Sequence, residues 1–89
     1  MTAVSISISG RVQGVGFRAW TLRQAMQLGV TGWVKNLPDG QVAVHVQGDQ
    51  QLIQQFCDML WSGPEGADVQ SVVCQPAHVA SFTSFEVHR

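Results

Sequence analysis

The stretch from Ser9 to Arg18 reads Ser-Gly-Arg-Val-Gln-Gly-Val-Gly-Phe-Arg, with glycines at positions 10, 14 and 16 and an arginine at its end. Residues of these types in this order suit the holding of an anion. Glycine lets the backbone turn so that several N–H groups converge, and a helix opening just behind them adds the positive end of its dipole. Arg18 then brings a planar, permanently charged fork to a phosphate-like group, where a lysine would bring only a point charge.

Other readings of the same residues compete. As a bare pattern, Gly14-Val15-Gly16-Phe17-Arg18-Ala19 satisfies the G-x-G-x-x-A form of the dinucleotide fingerprint, and Asp39 follows about 20 residues on. A chain of 89 residues is too short for a full doubly wound sheet, however, and Asp39 lies in a Pro38-Asp39-Gly40 turn, not at the end of a parallel strand. A Walker loop fails because no Gly-Lys-Ser/Thr closes the segment. The plain alternative is a glycine-rich turn joining a strand to a helix.

A second segment bears on that choice. Residues 31 to 42 read Thr-Gly-Trp-Val-Lys-Asn-Leu-Pro-Asp-Gly-Gln-Val. Taken with the first, this run resembles the paired signature of the acylphosphatase family, in which Gly-x-Val-x-Gly-Val-x-Phe-Arg is followed by a helix and then by Gly-Trp-Val-x-Asn-x-x-x-Gly-x-Val. The matches fall on Gly10, Val12, Gly14, Val15, Phe17 and Arg18, then on Gly32, Trp33, Val34, Asn36, Gly40 and Val42. The motifs cover the first half of the chain, and the second half agrees in pattern and length.

The resemblance implies an enzyme that hydrolyses acyl phosphates to a carboxylate and inorganic phosphate. Carried over by motif position, phosphate binding falls on Arg18 and on the backbone of Gln13, Gly14, Val15, Gly16, Phe17 and Arg18, and orientation of the attacking water falls on Asn36. Without the family, Asn36 reads equally as a strand-end residue bonding its own turn. The implied chemistry needs few side chains. A carboxylate is a good leaving group near neutral pH, so no strong general acid has to protonate it. The charge of a loose phosphoryl-transfer transition state spreads over equatorial oxygens that N–H donors and a guanidinium can stabilise. The family works without a metal or other cofactor, and no Ser-His-Asp order or Cys-His pair is recognisable here.

Composition bounds the alternatives. The chain is 45% hydrophobic and 12% charged with a formal net charge of -1, which reads as one domain, residues 1–89, with a single modest core. Five Lys and Arg residues are too few for a non-specific nucleic-acid surface. No apolar stretch is long enough to cross a bilayer, and Met1-Thr2-Ala3 lacks the basic start of a secretory signal, so the expected setting is the cytoplasm, with a small-molecule substrate, no membrane and no nucleic acid as partners, and a monomeric state. Cys57 and Cys74 have neither metal-ligand nor C-x-x-C spacing and read as reduced structural thiols. His45, His78 and His88 are scattered and read as surface or satisfied residues, Arg11 as a surface charge, and Trp20 and Trp33 as packing residues.

The elements that must position these residues follow from periodicity. Val4, Ile6 and Ile8 alternate with serines, as in a strand with one buried face. From Phe17 to Leu28, Ala19, Leu22 and Met26 recur at helical spacing with Ala25 beside them, and Gly29 is a natural stop. Val30–Asn36 and Gln41–Gln47 read as a hairpin around Leu37-Pro38-Asp39-Gly40. Asp49 caps a second helix whose apolar side is Leu52, Ile53, Phe56, Met59 and Leu60, ended by Gly63-Pro64-Glu65-Gly66. Val69–Cys74 and Phe82–Val87 are the remaining apolar runs.

The order βαββαβ, with a final strand at the C-terminus, is that of a ferredoxin-like α+β sandwich: an open, mostly antiparallel sheet with two helices on one face. Fold alone leaves function open, because RNA-binding modules, ligand-sensing regulatory domains and metal chaperones share related layouts. An RNA-binding version calls for exposed aromatics on central strands, and a chaperone for closely spaced thiolates or imidazoles; neither is visible in this sequence. A non-catalytic phosphate- or ligand-binding regulatory module stays as the alternative from a different class.

Overall fold

In a computed structural model, which describes residues 1–89, alternation in the first strand sets the architecture. Along β1 (Thr2–Arg11), Ile6 and Ile8 are buried while Ser5 and Ser7 are exposed. The chain continues as α1 (Phe17–Leu28), β2 (Thr31–Asn36), β3 (Val42–Gly48), α2 (Gln50–Leu60), β4 (Asp68–Pro76) and β5 (Phe85–His88). The five strands form one sheet in the order β4-β1-β3-β2-β5. All pairings are antiparallel except β2 with β5. This is the ferredoxin-like layout expected from the sequence.

The core lies where one face of the sheet meets both helices. Ile6, Ile8, Val34, Val42, Val44 and Val46 meet Phe17 and Ala25 of α1 and Ile53, Phe56 and Leu60 of α2. The second helix follows its pattern closely, and Asp49 caps it by accepting from the Gln51 N–H at 3.0 Å.

The first helix does not present the face that apolar spacing suggests. Its buried residues are Phe17, Thr21 and Ala25, while Met26 is 69% exposed and Ala19 is exposed too. Thr21 reads as polar, yet its hydroxyl donates to the Phe17 carbonyl at 2.8 Å, which satisfies it within its own helix and lets it sit in the core. The last strand is also shifted from Phe82–Val87 to Phe85–His88, because only that run finds a partner, pairing in parallel with Gly32 to Lys35 of β2.

Residues 77–84 cross toward the uncovered face of the sheet. Buried Gln47 pins them there: its amide donates to the Ala80 carbonyl at 2.6 Å and accepts from the Ala80 N–H at 2.9 Å. Phe82 from this connection lies 5.3 Å from the His45 ring, and Trp33 stacks between His45 at 6.3 Å and His88 at 5.5 Å. An aromatic row thus stands on this face, unlike the sequence expectation. The Trp33 ring is also approached by Lys35, whose Nζ lies 6.0 Å from its centroid.

Strand direction fixes where function gathers. Because β1 and β2 both run antiparallel to β3, they run parallel to each other, and β5 runs parallel to β2. The C-terminal ends of β1, β2 and β5 therefore meet at one edge of the sheet. No helix is long and apolar enough to cross a membrane.

Candidate active site

At that edge β1 carries an irregularity. Its register against β4 shifts between Ser9 and Gly10 and pairing then resumes to Arg11, while pairing with β3 has ended at Ile8. The loop that follows has Gly14 at φ 76° and Gly16 at φ 78°, left-handed conformations that glycine adopts without the clash a Cβ brings.

Gly16 is also the residue at which α1 begins, and no side chain caps the helix there. The first backbone bond across this end is from the Trp20 N–H to the Gly16 carbonyl, at 3.0 Å. The N–H groups of residues 13 to 19 donate to no protein acceptor. A helix that opens without a capping oxygen carries its orphan donors and its positive dipole end outward, and an anion is their natural partner.

Arg18, in the first turn of α1, is half-buried and anchored. Its Nη1 donates to the carbonyl of His88 on β5 at 3.0 Å, a contact spanning 70 residues of sequence. The rest of the guanidinium faces a cleft of about 340 Å³. Gln13, Gly14, Gly16 and Phe17 line it from the loop, and Asn36 lines it from the end of β2.

Asn36 makes no side-chain hydrogen bond, and its Oδ1 is buried. Leaving a buried polar atom unpaired costs about 1–3 kcal/mol, so an unpaired one at a cleft wall marks a position suited to a ligand partner. The turn reading expected Asn36 to bond its own hairpin. Instead that turn is closed by backbone bonds from Leu37 to Gln41 at 2.8 Å and from Gly40 to Leu37 at 3.2 Å, and by the Asp39 carboxylate accepting from the Gln41 N–H at 3.0 Å. Asn36 stays free of it.

The structure thus brings together Gln13, Gly14, Gly16, Phe17, Arg18 and Asn36. Val15 differs: its side chain packs against the core, so that residue has only backbone to offer the cleft. Arg11 is exposed and does not line the cleft, and Trp20 packs on Phe17 at 5.4 Å.

Other residues at the cleft were not expected there from the sequence. Val12, Ala19 and Leu22 flank the loop and helix, and Val87 and Arg89 arrive from the end of β5. Nothing local marks Arg89. Only the parallel pairing of β5 with β2, a contact between distant segments, carries it there.

A loop of outward N–H groups, an anchored arginine and an unpaired asparagine on one cleft match the two sequence motifs in space, and the profile of the family described as Acylphosphatase matches residues 4–87. The chain belongs to the acylphosphatase family. It is 45% identical over 87 residues to an acylphosphatase of Archaeoglobus fulgidus, covering 98% of each chain. Among solved structures, an acylphosphatase from Coxiella burnetii superposes with a TM-score of 0.94 at 37% identity, covering 98% of this chain and 92% of that one. The acylphosphatase from Bacillus subtilis superposes at 0.97 with 29% identity over 100% of both.

Proposed function

We propose that this family member hydrolyses acyl phosphates through the cleft between Arg18 and Asn36. The phosphoryl group sits in the loop, accepting hydrogen bonds from the backbone N–H groups of Gln13 to Arg18 and a charged pair from the Arg18 guanidinium. Its acyl side leaves as a carboxylate and needs no proton donor. Water attacks phosphorus from the side of Asn36, whose amide oxygen accepts one of the water's protons in a hydrogen bond and so aims a lone pair inward.

The observation that carries this reading is the unpaired Oδ1 of Asn36. An acceptor oxygen beside an anion site is repelled by phosphate oxygens and suits a donor between them, which is what an attacking water supplies. The loop N–H groups and Arg18 are in place before substrate arrives, so charge developing on the equatorial oxygens meets donors that need no reorganisation. The proton lost by the water passes to a substrate phosphate oxygen, because no side chain at the cleft is a base. Residues 1–89 act in this reading as one domain, a cytoplasmic monomer. Five Lys and Arg residues against six Asp and Glu give no basic face for nucleic acid.

Two variants test it. Arg18→Ala should lose both phosphate affinity and turnover, since one contact serves ground state and transition state alike. Asn36→Ala should lower turnover by on the order of 10²–10³ while inorganic phosphate still binds. If Asn36→Ala keeps full turnover in a folded protein, Asn36 is a strand-end residue and the assignment falls.

A further inference from the structure

Cys57 and Cys74 lie outside the cleft and have no part in the chemistry above. Read along the chain they are unrelated thiols, but the fold places their sulfurs 3.3 Å apart, across 17 positions of sequence. Cys57 sits on α2, half-buried against the core. Cys74 stands opposite Ile6 in the β1–β4 register, and Ile6 points to the helix-covered face, so Cys74 points the same way, toward α2. It is nonetheless exposed, because β4 is the outer strand of the sheet. No group of three His, Cys or carboxylate side chains that could hold a metal ion forms around the pair, which leaves thiol–thiol chemistry instead of a metal site.

We propose that Cys57 and Cys74 are a modification site: they form a reversible intramolecular disulfide tying α2 to the edge strand, installed by a small-molecule disulfide oxidant such as glutathione disulfide. The exposed Cys74 is the attacking group. Its thiolate attacks one sulfur of the oxidant, the S–S bond of the oxidant breaks, and one glutathione leaves as thiolate. Cys57 then releases its proton to solvent and its sulfur attacks Sγ of Cys74, expelling the second glutathione. In sum two protein thiols are oxidised, one glutathione disulfide is reduced to two glutathione molecules, and the protons end on those products.

Burial, then the adjoining Cys74, push the Cys57 thiol up to about 12, which keeps Cys57 protonated and leaves the first attack to the exposed Cys74; Cys57 follows because its sulfur is held beside the mixed disulfide. The bond would close the segment that leaves α2 at Leu60, passes Gly63 to Gly66 and enters β4. A cross-link there removes freedom from the unfolded chain and anchors a strand bonded on one side only, to β1. Unfolding should become harder while turnover stays, because neither cysteine lines the cleft, which is built from residues 12–22, Asn36 and the end of β5.

The test is incubation of the folded protein with glutathione disulfide, followed by acid quench and intact mass. The expected product is a monomer lighter by two hydrogens, with no titratable thiol, a melting midpoint raised by several degrees and unchanged acyl phosphate turnover, all reversed by dithiothreitol. A persistent glutathione adduct, a disulfide-linked dimer or an unchanged mass overturns the proposal. Cys57→Ser should stop at an adduct on Cys74, and Cys74→Ser should resist modification. The reverse pattern overturns the assignment of Cys74 as the attacking thiol.

Discussion

The side-chain amide of Gln13 donates to the Leu37 carbonyl at 2.8 Å, and its second N–H reaches the Gln41 carbonyl at the same distance. Gln13 opens the anion loop, and Leu37 directly follows Asn36. One amide therefore fixes the spacing between the glycine loop and Asn36, the residue proposed to orient water, across 24 positions of sequence. In the proposed mechanism the backbone N–H of Gln13 meets phosphate whatever its side chain, so the two roles can be separated. Gln13→Ala should lower kcat by roughly tenfold, about 1.4 kcal/mol of transition-state stabilisation, with inorganic phosphate inhibiting nearly as before. A KM effect with unchanged kcat would show that the side chain serves substrate binding and not the placement of Asn36.

Gly16 tests the cradle's backbone. At φ 78° a Cβ meets no atom within 4 Å, so Gly16→Ala introduces conformational strain without a clash. The expected cost is about 1–2 kcal/mol of stability, together with weaker phosphate inhibition as the first N–H groups tilt away. Gly16→Asn, which tolerates the left-handed region better, should recover part of both. If Gly16→Ala melts like the wild type and binds phosphate normally, the loop does not depend on that conformation.

Legibility of this molecule from its sequence divides along one line. Local signals were readable: Gly29 stops α1, Asp49 caps α2, and Val42, Val44 and Val46 alternate inward on β3. That residues 13 to 18 form one loop at the start of α1 is readable too, because a helix start and the glycines before it are neighbours in sequence. Contacts made only by distant pairing were not. Thr21 hid in the core behind a hydrogen bond that apolar periodicity does not count, and Arg89 reaches the cleft only through the parallel β2–β5 pairing. Two thiols with no motif spacing meet because a helix crosses above an edge strand.

Arg89 follows from that last class. It brings a second arginine to the lining of a cleft proposed to take an anionic substrate. It is exposed, and solvent and salt screen it more than Arg18. Arg89→Ala should raise KM by several-fold at low ionic strength, with little change in kcat, and the difference from wild type should shrink as salt is added. A salt-independent loss of kcat would instead make Arg89 part of the transition-state machinery.

Leaving-group chemistry gives a sharper check. No side chain at the cleft can protonate an alkoxide, whereas an expelled carboxylate needs no proton. Acyl phosphates should be hydrolysed while ordinary phosphomonoesters are left nearly untouched, and EDTA should not alter the rate. Comparable turnover of both substrate classes would require a proton donor that the site lacks, and the mechanism would have to be redrawn.

Alkaline stability isolates Cys57. Its thiol is raised from 9.0 to about 12 in the folded chain, mainly by burial and then by Cys74. The unfolded chain therefore loses this proton at lower pH than the folded one. The stability this group contributes is fully present below about pH 9 and is lost as pH climbs toward the folded value. The sequence contains no tyrosine, so no phenol titrates in that window. Under reducing conditions, denaturant midpoints measured from pH 8 to 11 should fall for the wild type and fall less steeply for Cys57→Ala. Oxidation to the disulfide should flatten the profile in the same way, because neither sulfur then carries a proton to lose. Parallel slopes for wild type, Cys57→Ala and the oxidised protein would mean that the thiol pair leaves alkaline stability unchanged, and the steepening would have to come from the amines.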